Sequence, residues 1–179
     1  IIDNSFASIN KAIMWGRSLY LNIRRFIIFQ MTINLCACLI VLFGAFVGYD
    51  SPLTVTQMLW VNLIMDTFAA MALSSLPPDR SVLSESPRDP NSHIVDRRMM
   101  RRIVATGLLF FLFLAALWQY MFHMPIESVS EMFTADSVKV FFADIFKPKT
   151  TLHLSGYEMG IYFSIFVLMQ FWNLFNVKY

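Results

Sequence analysis

The chain has 179 residues, of which 57% are hydrophobic and 15% charged, and its formal net charge is +2. A soluble domain usually has about 25% charged residues, so this composition excludes an ordinary soluble protein and indicates an integral membrane protein. The small net charge gives no support to a nucleic-acid partner. The lipid bilayer is therefore the first partner that the sequence predicts.

The apolar residues are concentrated in four segments, each close to the roughly 20 residues that a helix needs to cross a bilayer. The preceding residues, 1–25, mix apolar and basic side chains and predict an amphipathic helical stalk. The expected fold is all-α, a polytopic bundle of four spanning helices with an N-terminal cytoplasmic stalk helix. The predicted spans are 26–47, 55–75, 103–123 and 157–178.

Basic residues indicate the orientation of these spans. Four Lys or Arg residues precede the first span and six Arg residues lie in the connection 76–102, whereas residues 48–54 contain none. Cytoplasmic connections carry an excess of Lys and Arg. The N-terminus and the loop 76–102 are therefore predicted to be cytoplasmic, and the loop 124–156 to face outward. The chain has no initiator Met, which favours an excised fragment of a longer protein.

The second span contains an unusual polar pair, Asn62 and Asp66. A carboxylate near the middle of a membrane helix costs about 2.5–3.5 kcal/mol on insertion scales, so it normally faces a bundle interior, a water cavity or an ion. A spacing of four residues puts both side chains on one helix face. Their oxygens are ligands of the kind that Ca²⁺ prefers. Hydrogen bonding between helices explains the pair equally well, and spacing alone leaves both interpretations open.

Other polar residues also lie within the predicted spans, and Asn34 and Gln170 can converge on Asp66 in a packed bundle. For these residues, structural hydrogen bonding between helices is the favoured interpretation. The sequence contains no Gly-rich phosphate loop, no Ser/His/Asp set and no nucleotide-binding motif. The chain by itself is therefore expected to lack catalytic residues and to be inactive as an enzyme.

Three motifs surround or include the polar pair: the segment Asp50-Ser51-Pro52-Leu53, residues 57–69 and Pro77-Pro78. Together they resemble the sixth membrane helix of plasma-membrane-type calcium ATPases of the P-type (E1-E2) class. Residues 3–9 and 14–17 resemble the exit from its phosphorylation domain, and residues 163–171 are similar to its eighth helix. The resemblance is strong through 3–78, fair at 157–176 and weak at 79–156.

The resemblance implies helices five to eight of a ten-helix, multi-pass plasma-membrane pump. It also implies that the missing N-terminal membrane helices and cytoplasmic domains carry the phosphorylated aspartate and bind ATP and Mg²⁺. By the same resemblance Ca²⁺ is the transported ion and Asn62 and Asp66 are its ligands. Asn34 and Gln170 are implied as polar neighbours of those ligands. The loop 76–102 resembles the family's loop beneath the phosphorylation domain, and a simple connector explains it equally well.

Three departures from the two-site sarcoplasmic-reticulum type favour a single ion site. Ala37 and Gln170 stand where that type has glutamates, and Met65 stands where it has a threonine. A manganese pump of the secretory-pathway type, which shares the Asn-x-x-x-Asp pair, is an alternative that ligand chemistry does not exclude. A passive four-helix channel or scaffold is an alternative from a different functional class.

Overall fold

The computed structural model describes residues 5–47, 51–78, 80–84, 86, 94–123 and 154–178. Within this part of the chain, four helices are long and apolar enough to cross a membrane. They are α1 (Phe6–Val47), α2 (Val55–Ser74), α3 (Arg97–His123) and α4 (Gly156–Lys178), with a short 3₁₀ helix at Arg80–Leu83. The prediction of an all-α bundle with four spanning helices is confirmed. The outward-facing loop predicted at 124–156 lies outside the described residues except for its last three.

The predicted stalk and the first predicted span form one continuous helix, the 42-residue α1. At 1.5 Å per residue it is roughly 60 Å long, about twice the thickness of a hydrocarbon core. Its N-terminal half must therefore extend beyond the bilayer if its second half crosses it. Arg17 in this N-terminal half donates a hydrogen bond of 2.7 Å from Nη1 to the carbonyl oxygen of Val82 in the 3₁₀ helix. The connection after α2 is thereby fixed to the side of the stalk.

Helices α3 and α4 are antiparallel and are joined by hydrogen bonds at two levels. Arg102 Nη2 donates to the carbonyl oxygen of Asn176 at 2.7 Å, and the Tyr162 hydroxyl donates to the carbonyl oxygen of Leu114 at 3.3 Å. α3 begins at Arg97, six residues before the predicted span, and the carboxylate of the preceding Asp96 accepts the Arg97 backbone N–H at 2.7 Å. The charged first turns of α3 thus extend the helix beyond its apolar segment.

Helices α1 and α3 are parallel and pack closely at Gly107. A Cβ atom added to Gly107 would lie 2.9 Å from Leu35 Cδ2 and 3.3 Å from Leu35 Cγ. Further along, the Phe43 ring meets the rings of Phe111 and Trp118 edge-on at 5.8 and 5.7 Å. Small residues at such contacts allow membrane helices to approach closely. This contact fixes the rotation of α1 and therefore the direction in which its polar side chains point.

We expect Gly107→Val to destabilise the bundle by about 1–3 kcal/mol, because the new side chain overlaps Leu35. Gly160→Val is the matched control, since a Cβ at Gly160 has no atom within 4 Å. Thermal inactivation of the intact protein in detergent measures the effect. Adding Leu35→Ala to Gly107→Val should recover part of the loss. Equal half-lives for the two glycine variants would contradict the close contact.

Candidate functional site

The candidate site is built on α2, whose start is fixed by a capping box. The Thr54 side chain accepts the Gln57 backbone N–H at 3.2 Å, and the Gln57 side chain accepts the Thr54 backbone N–H at 2.9 Å. This arrangement satisfies two backbone donors that a helix start otherwise leaves unpaired. The helix ends at Ser74, before Pro77. Asp66 is the twelfth of its 20 residues and therefore lies near the middle of the predicted span.

One stripe of α2 packs against the rest of the bundle. Its buried residues recur every four positions: Val61, Met65, Ala69 and Leu73. Asn62 and Asp66 each follow one member of this stripe, and both are half-buried. The pair therefore lies at the border between the covered face of α2 and a face that carries exposed apolar residues such as Leu59 and Leu63. An ion bound at this border can therefore be contacted by side chains from within the bundle and by groups on the uncovered side of α2.

Asp66 is held by a residue of the neighbouring helix α1. Gln30 Nε2 donates a hydrogen bond of 2.9 Å to Asp66 Oδ2. The other carboxylate oxygen, Asp66 Oδ1, and the other amide atom, Gln30 Oε1, are both buried and have no hydrogen-bond donor. A buried acceptor without a donor costs about 1–3 kcal/mol. The site therefore contains two oxygens that need a donor, a water molecule or a cation.

The predicted neighbours of the ligands occupy different environments. Asn34 lies one turn beyond Gln30 on α1 and is exposed in this structure, whereas Gln170 on α4 is fully buried. Both polar atoms of the Gln170 side chain lack a hydrogen-bond partner. Thus it is Gln30, rather than Asn34, that contacts Asp66 from α1.

Gln170 lies at about the same height in the bundle as Asp66. The ring of Trp60 on α2 packs against the ring of Phe163 on α4 at 6.4 Å. The two helices run in the same direction, Asp66 is six residues after Trp60, and Gln170 is seven residues after Phe163. Asn173, one turn further along α4, is also fully buried with both side-chain polar atoms unpartnered. Buried polar groups normally have partners, so unpartnered ones call for water or an ion. The bundle interior is therefore more polar at this level than the α2 pair alone indicates.

The described residues contain no group of three or more His, Cys, Asp or Glu side chains that could hold a metal ion. The polar groups near mid-membrane in this part of the chain include one carboxylate, several amides and the hydroxyl groups of Thr32 and Thr67. Such a set supplies neutral oxygens and a single negative charge. A hard divalent cation bound here would need further oxygens, because Ca²⁺ takes six to eight.

Gln30 is the residue of this site that the sequence did not single out. It was visible as an intramembrane polar residue, but its spacing from Asp66 along the chain is 36 residues. The pairing of α1 with α2 and the rotation of α1 bring the two side chains together. A local sequence pattern contains no signal for either.

Comparison with known proteins places this chain in a family. The family described as "Cation transporting ATPase, C-terminus" matches residues 50–179. The chain is 38% identical over 179 residues to plasma membrane calcium-transporting ATPase 4 of Homo sapiens, and that alignment covers 99% of the chain and 13% of the relative. It is 37% identical to plasma membrane calcium-transporting ATPase 1 of Mus musculus, covering 99% of the chain and 13% of the relative.

A third relative, plasma membrane calcium-transporting ATPase 2 of Oreochromis mossambicus, is 36% identical over 180 residues, covering 99% of the chain and 15% of the relative. The chain thus spans only about an eighth of the length of the relatives that it matches. The family match covers most of the chain, including α2, α3 and α4. The chain belongs to the family of cation-transporting ATPases, within its C-terminal membrane region.

Proposed function

We propose that this chain is the membrane-transport segment of an ATP-driven calcium pump and carries part of a single intramembrane Ca²⁺ site. The observation that carries the proposal is Asp66, a mid-helix carboxylate held through Oδ2 while Oδ1 remains buried without a donor. The relatives at 36–38% identity are named as plasma membrane calcium-transporting ATPases. A multi-pass location in the plasma membrane, with a cytoplasmic N-terminus, belongs to the same proposal.

In this proposal Asn62 and Asp66 are the ligands that α2 contributes. They lie one turn apart at the edge of the buried stripe of α2, so one ion can contact both side-chain oxygens. The uncovered side of α2 leaves room for ligands from the missing membrane helices. Gln170 lies on α4 at about the same height as Asp66, while Asn34, which is exposed in this structure, would have to move to take part. A single carboxylate with neutral oxygens suits one divalent ion better than two.

Energy for transport would enter through the parent protein's cytoplasmic domains, which bind ATP and Mg²⁺ outside this chain. The continuous helix α1 is suited to transmit that energy, because one rigid element extends from the predicted cytoplasmic side to the residue that contacts Asp66. The contact between Arg17 and Val82 couples the connection 76–102 to the same rod. A displacement of α1 along or around its axis would therefore change the surroundings of the ion.

The number of ions moved per ATP tests the single-site proposal. In membrane vesicles that contain the intact pump, we expect ATP-dependent uptake of one Ca²⁺ for each ATP hydrolysed. Radioactive Ca²⁺ uptake and phosphate release, measured in the same samples, give the ratio. A ratio of two would refute the single site.

The manganese alternative requires a separate comparison in the same vesicles. We expect Ca²⁺ to drive ATP hydrolysis at lower free concentration than Mn²⁺. A preference for Mn²⁺ would instead assign the chain to a manganese pump. Uptake that needs no ATP would support the passive-channel alternative.

The isolated segment should bind Ca²⁺ weakly, because α2 supplies two or three of the six to eight oxygens that the ion needs. A calorimetric titration of the purified chain with Ca²⁺ in detergent should give a dissociation constant at least 100-fold larger than that of the intact pump. A matched preparation of the Asp66→Asn variant is the control for non-specific binding. Tight binding by the isolated chain would contradict the division of the site between this segment and the rest of the pump.

A further inference from the structure

We infer that Gln30 on α1 is a further ligand of the ion site and supplies its amide oxygen, Oε1, beside Asp66. This inference deepens the proposed function and rests on it, because it concerns the same site. Neither the resemblance of the α2 motif nor the names of the relatives points to Gln30. It follows from one interhelical contact and from two oxygens that the contact leaves unsatisfied.

The first step is the orientation of the Gln30 amide. Its Nε2 donates to Asp66 Oδ2 at 2.9 Å, so the nitrogen is committed to the carboxylate and the amide oxygen points elsewhere. A carboxylate can only accept, so the amide could not be turned over without facing an oxygen to Oδ2. The Asp66 carboxylate therefore fixes which atom of Gln30 is left for a ligand.

The second step concerns the two remaining oxygens. Asp66 Oδ1 and Gln30 Oε1 each share a carbon atom with one of the two atoms of the hydrogen bond, so both oxygens belong to the same contact between α1 and α2. Both are buried and neither has a donor. Two acceptors cannot satisfy each other, and burying both without a partner costs about 1–3 kcal/mol each. A cation between them satisfies both oxygens at once.

The third step is the chemistry of the ion. Carboxylate and amide oxygens are hard ligands that match Ca²⁺, and the ion needs six to eight of them. Asn62 lies one turn before Asp66 on α2, so the three side chains can approach one ion from two helices. Gln30 also joins the ion directly to α1, the long helix that extends beyond the bilayer. A shift of α1 would then withdraw Gln30 from the ion and break its hydrogen bond to Asp66 at the same time.

Two variants of Gln30 test the inference in the intact pump. Gln30→Met keeps the size of the side chain and removes both polar atoms, whereas Gln30→Glu keeps an oxygen and removes the donor. Because losing a group that supports a metal site typically weakens affinity 10–100-fold, Gln30→Met should raise the Ca²⁺ concentration for half-maximal phosphorylation by at least tenfold. Gln30→Glu should raise this Ca²⁺ concentration by no more than half as many powers of ten as Gln30→Met does, because its carboxylate can still bind the ion.

Thr32→Val is the matched control. Thr32 is a fully buried polar residue on the same helix, and its hydroxyl donates within the helix to the carbonyl oxygen of Ile28 at 2.7 Å. We expect this variant to change the half-maximal Ca²⁺ concentration less than threefold. Thermal inactivation half-lives close to that of the unaltered pump should accompany all three variants, so that changes in Ca²⁺ dependence are not caused by unfolding.

The outcomes separate this inference from the proposed function. One outcome is that Gln30→Met behaves like Thr32→Val while Asp66→Asn abolishes Ca²⁺-dependent phosphorylation. The ion site then stands, and Gln30 is only a hydrogen-bonding contact between helices. If Gln30→Glu raises the half-maximal Ca²⁺ concentration as much as Gln30→Met does, only the Nε2 donor of Gln30 contributes to Ca²⁺ affinity. The ligand role of Oε1 is then refuted. If Asp66→Asn retains normal Ca²⁺ dependence, the proposed site itself is wrong.

Discussion

Under the proposed function, Asp66→Asn in the full-length protein is expected to abolish Ca²⁺-dependent phosphorylation by ATP at all Ca²⁺ concentrations up to the millimolar range. Asn has nearly the same size as Asp, so the packing of α2 is retained and the change removes mainly the negative charge. A doubly charged ion taken out of water needs compensating charge, because the Coulomb interaction strengthens as the surroundings become less polar. Asp66 is the carboxylate nearest mid-membrane in the described spans.

The measurement is the amount of phosphorylated protein formed from radioactive ATP as free Ca²⁺ is varied. Asp96→Asn provides the matched control, since Asp96 is exposed at the N-terminal end of α3, where its carboxylate accepts the Arg97 backbone N–H. That variant should retain normal Ca²⁺ dependence. Asp66→Glu, which keeps the charge but lengthens the side chain, should restore part of the activity. Unchanged Ca²⁺ dependence in Asp66→Asn would remove Asp66 from the site.

Trp118→Ala is expected to give the largest loss of bundle stability among single truncations on α3, about 3–5 kcal/mol. The Trp118 side chain is 1% exposed. Its ring meets Phe43 of α1 at 5.7 Å and Phe122 of its own helix at 5.9 Å. Membrane helices associate largely through such packing, so a cavity at this position would weaken the contact between α1 and α3.

The stability of a large pump is best followed as a rate of inactivation. At a fixed temperature we expect the Trp118→Ala pump to lose Ca²⁺-dependent ATP hydrolysis at least tenfold faster than the unaltered pump. Phe113→Ala is the matched control, because Phe113 is an aromatic residue of the same helix with 53% of its surface exposed. If both variants were inactivated at the same rate, Trp118 would not be part of the core that joins α1 and α3.

Much of the architecture was predictable from the sequence because each spanning helix is defined locally. About 20 apolar residues can satisfy their backbone groups within lipid only as a helix, and Pro77-Pro78 follows the end of α2 as expected. Asn62 and Asp66 were recognisable for a similar reason, since polar residues are costly at mid-membrane wherever the helix packs. The start of α3 was less predictable, because the helix includes a charged segment, residues 97–102, that the apolar pattern does not include.

Only the tertiary structure decided which side chains meet Asp66. From the sequence, Asn34 was the predicted α1 neighbour of Asp66 and Gln30 was not singled out. In the structure Gln30 donates to Asp66, while Asn34 is exposed. The complete burial of Gln170 and Asn173 was likewise not visible in the sequence. These outcomes depend on the rotation of each helix, which is set by contacts such as Gly107 with Leu35 between residues 72 positions apart. The sequence by itself thus determined where the helices span and where the polar pair of α2 lies, because both depend on local residues. Packing between helices that are distant in the sequence decided which side chains contact that pair.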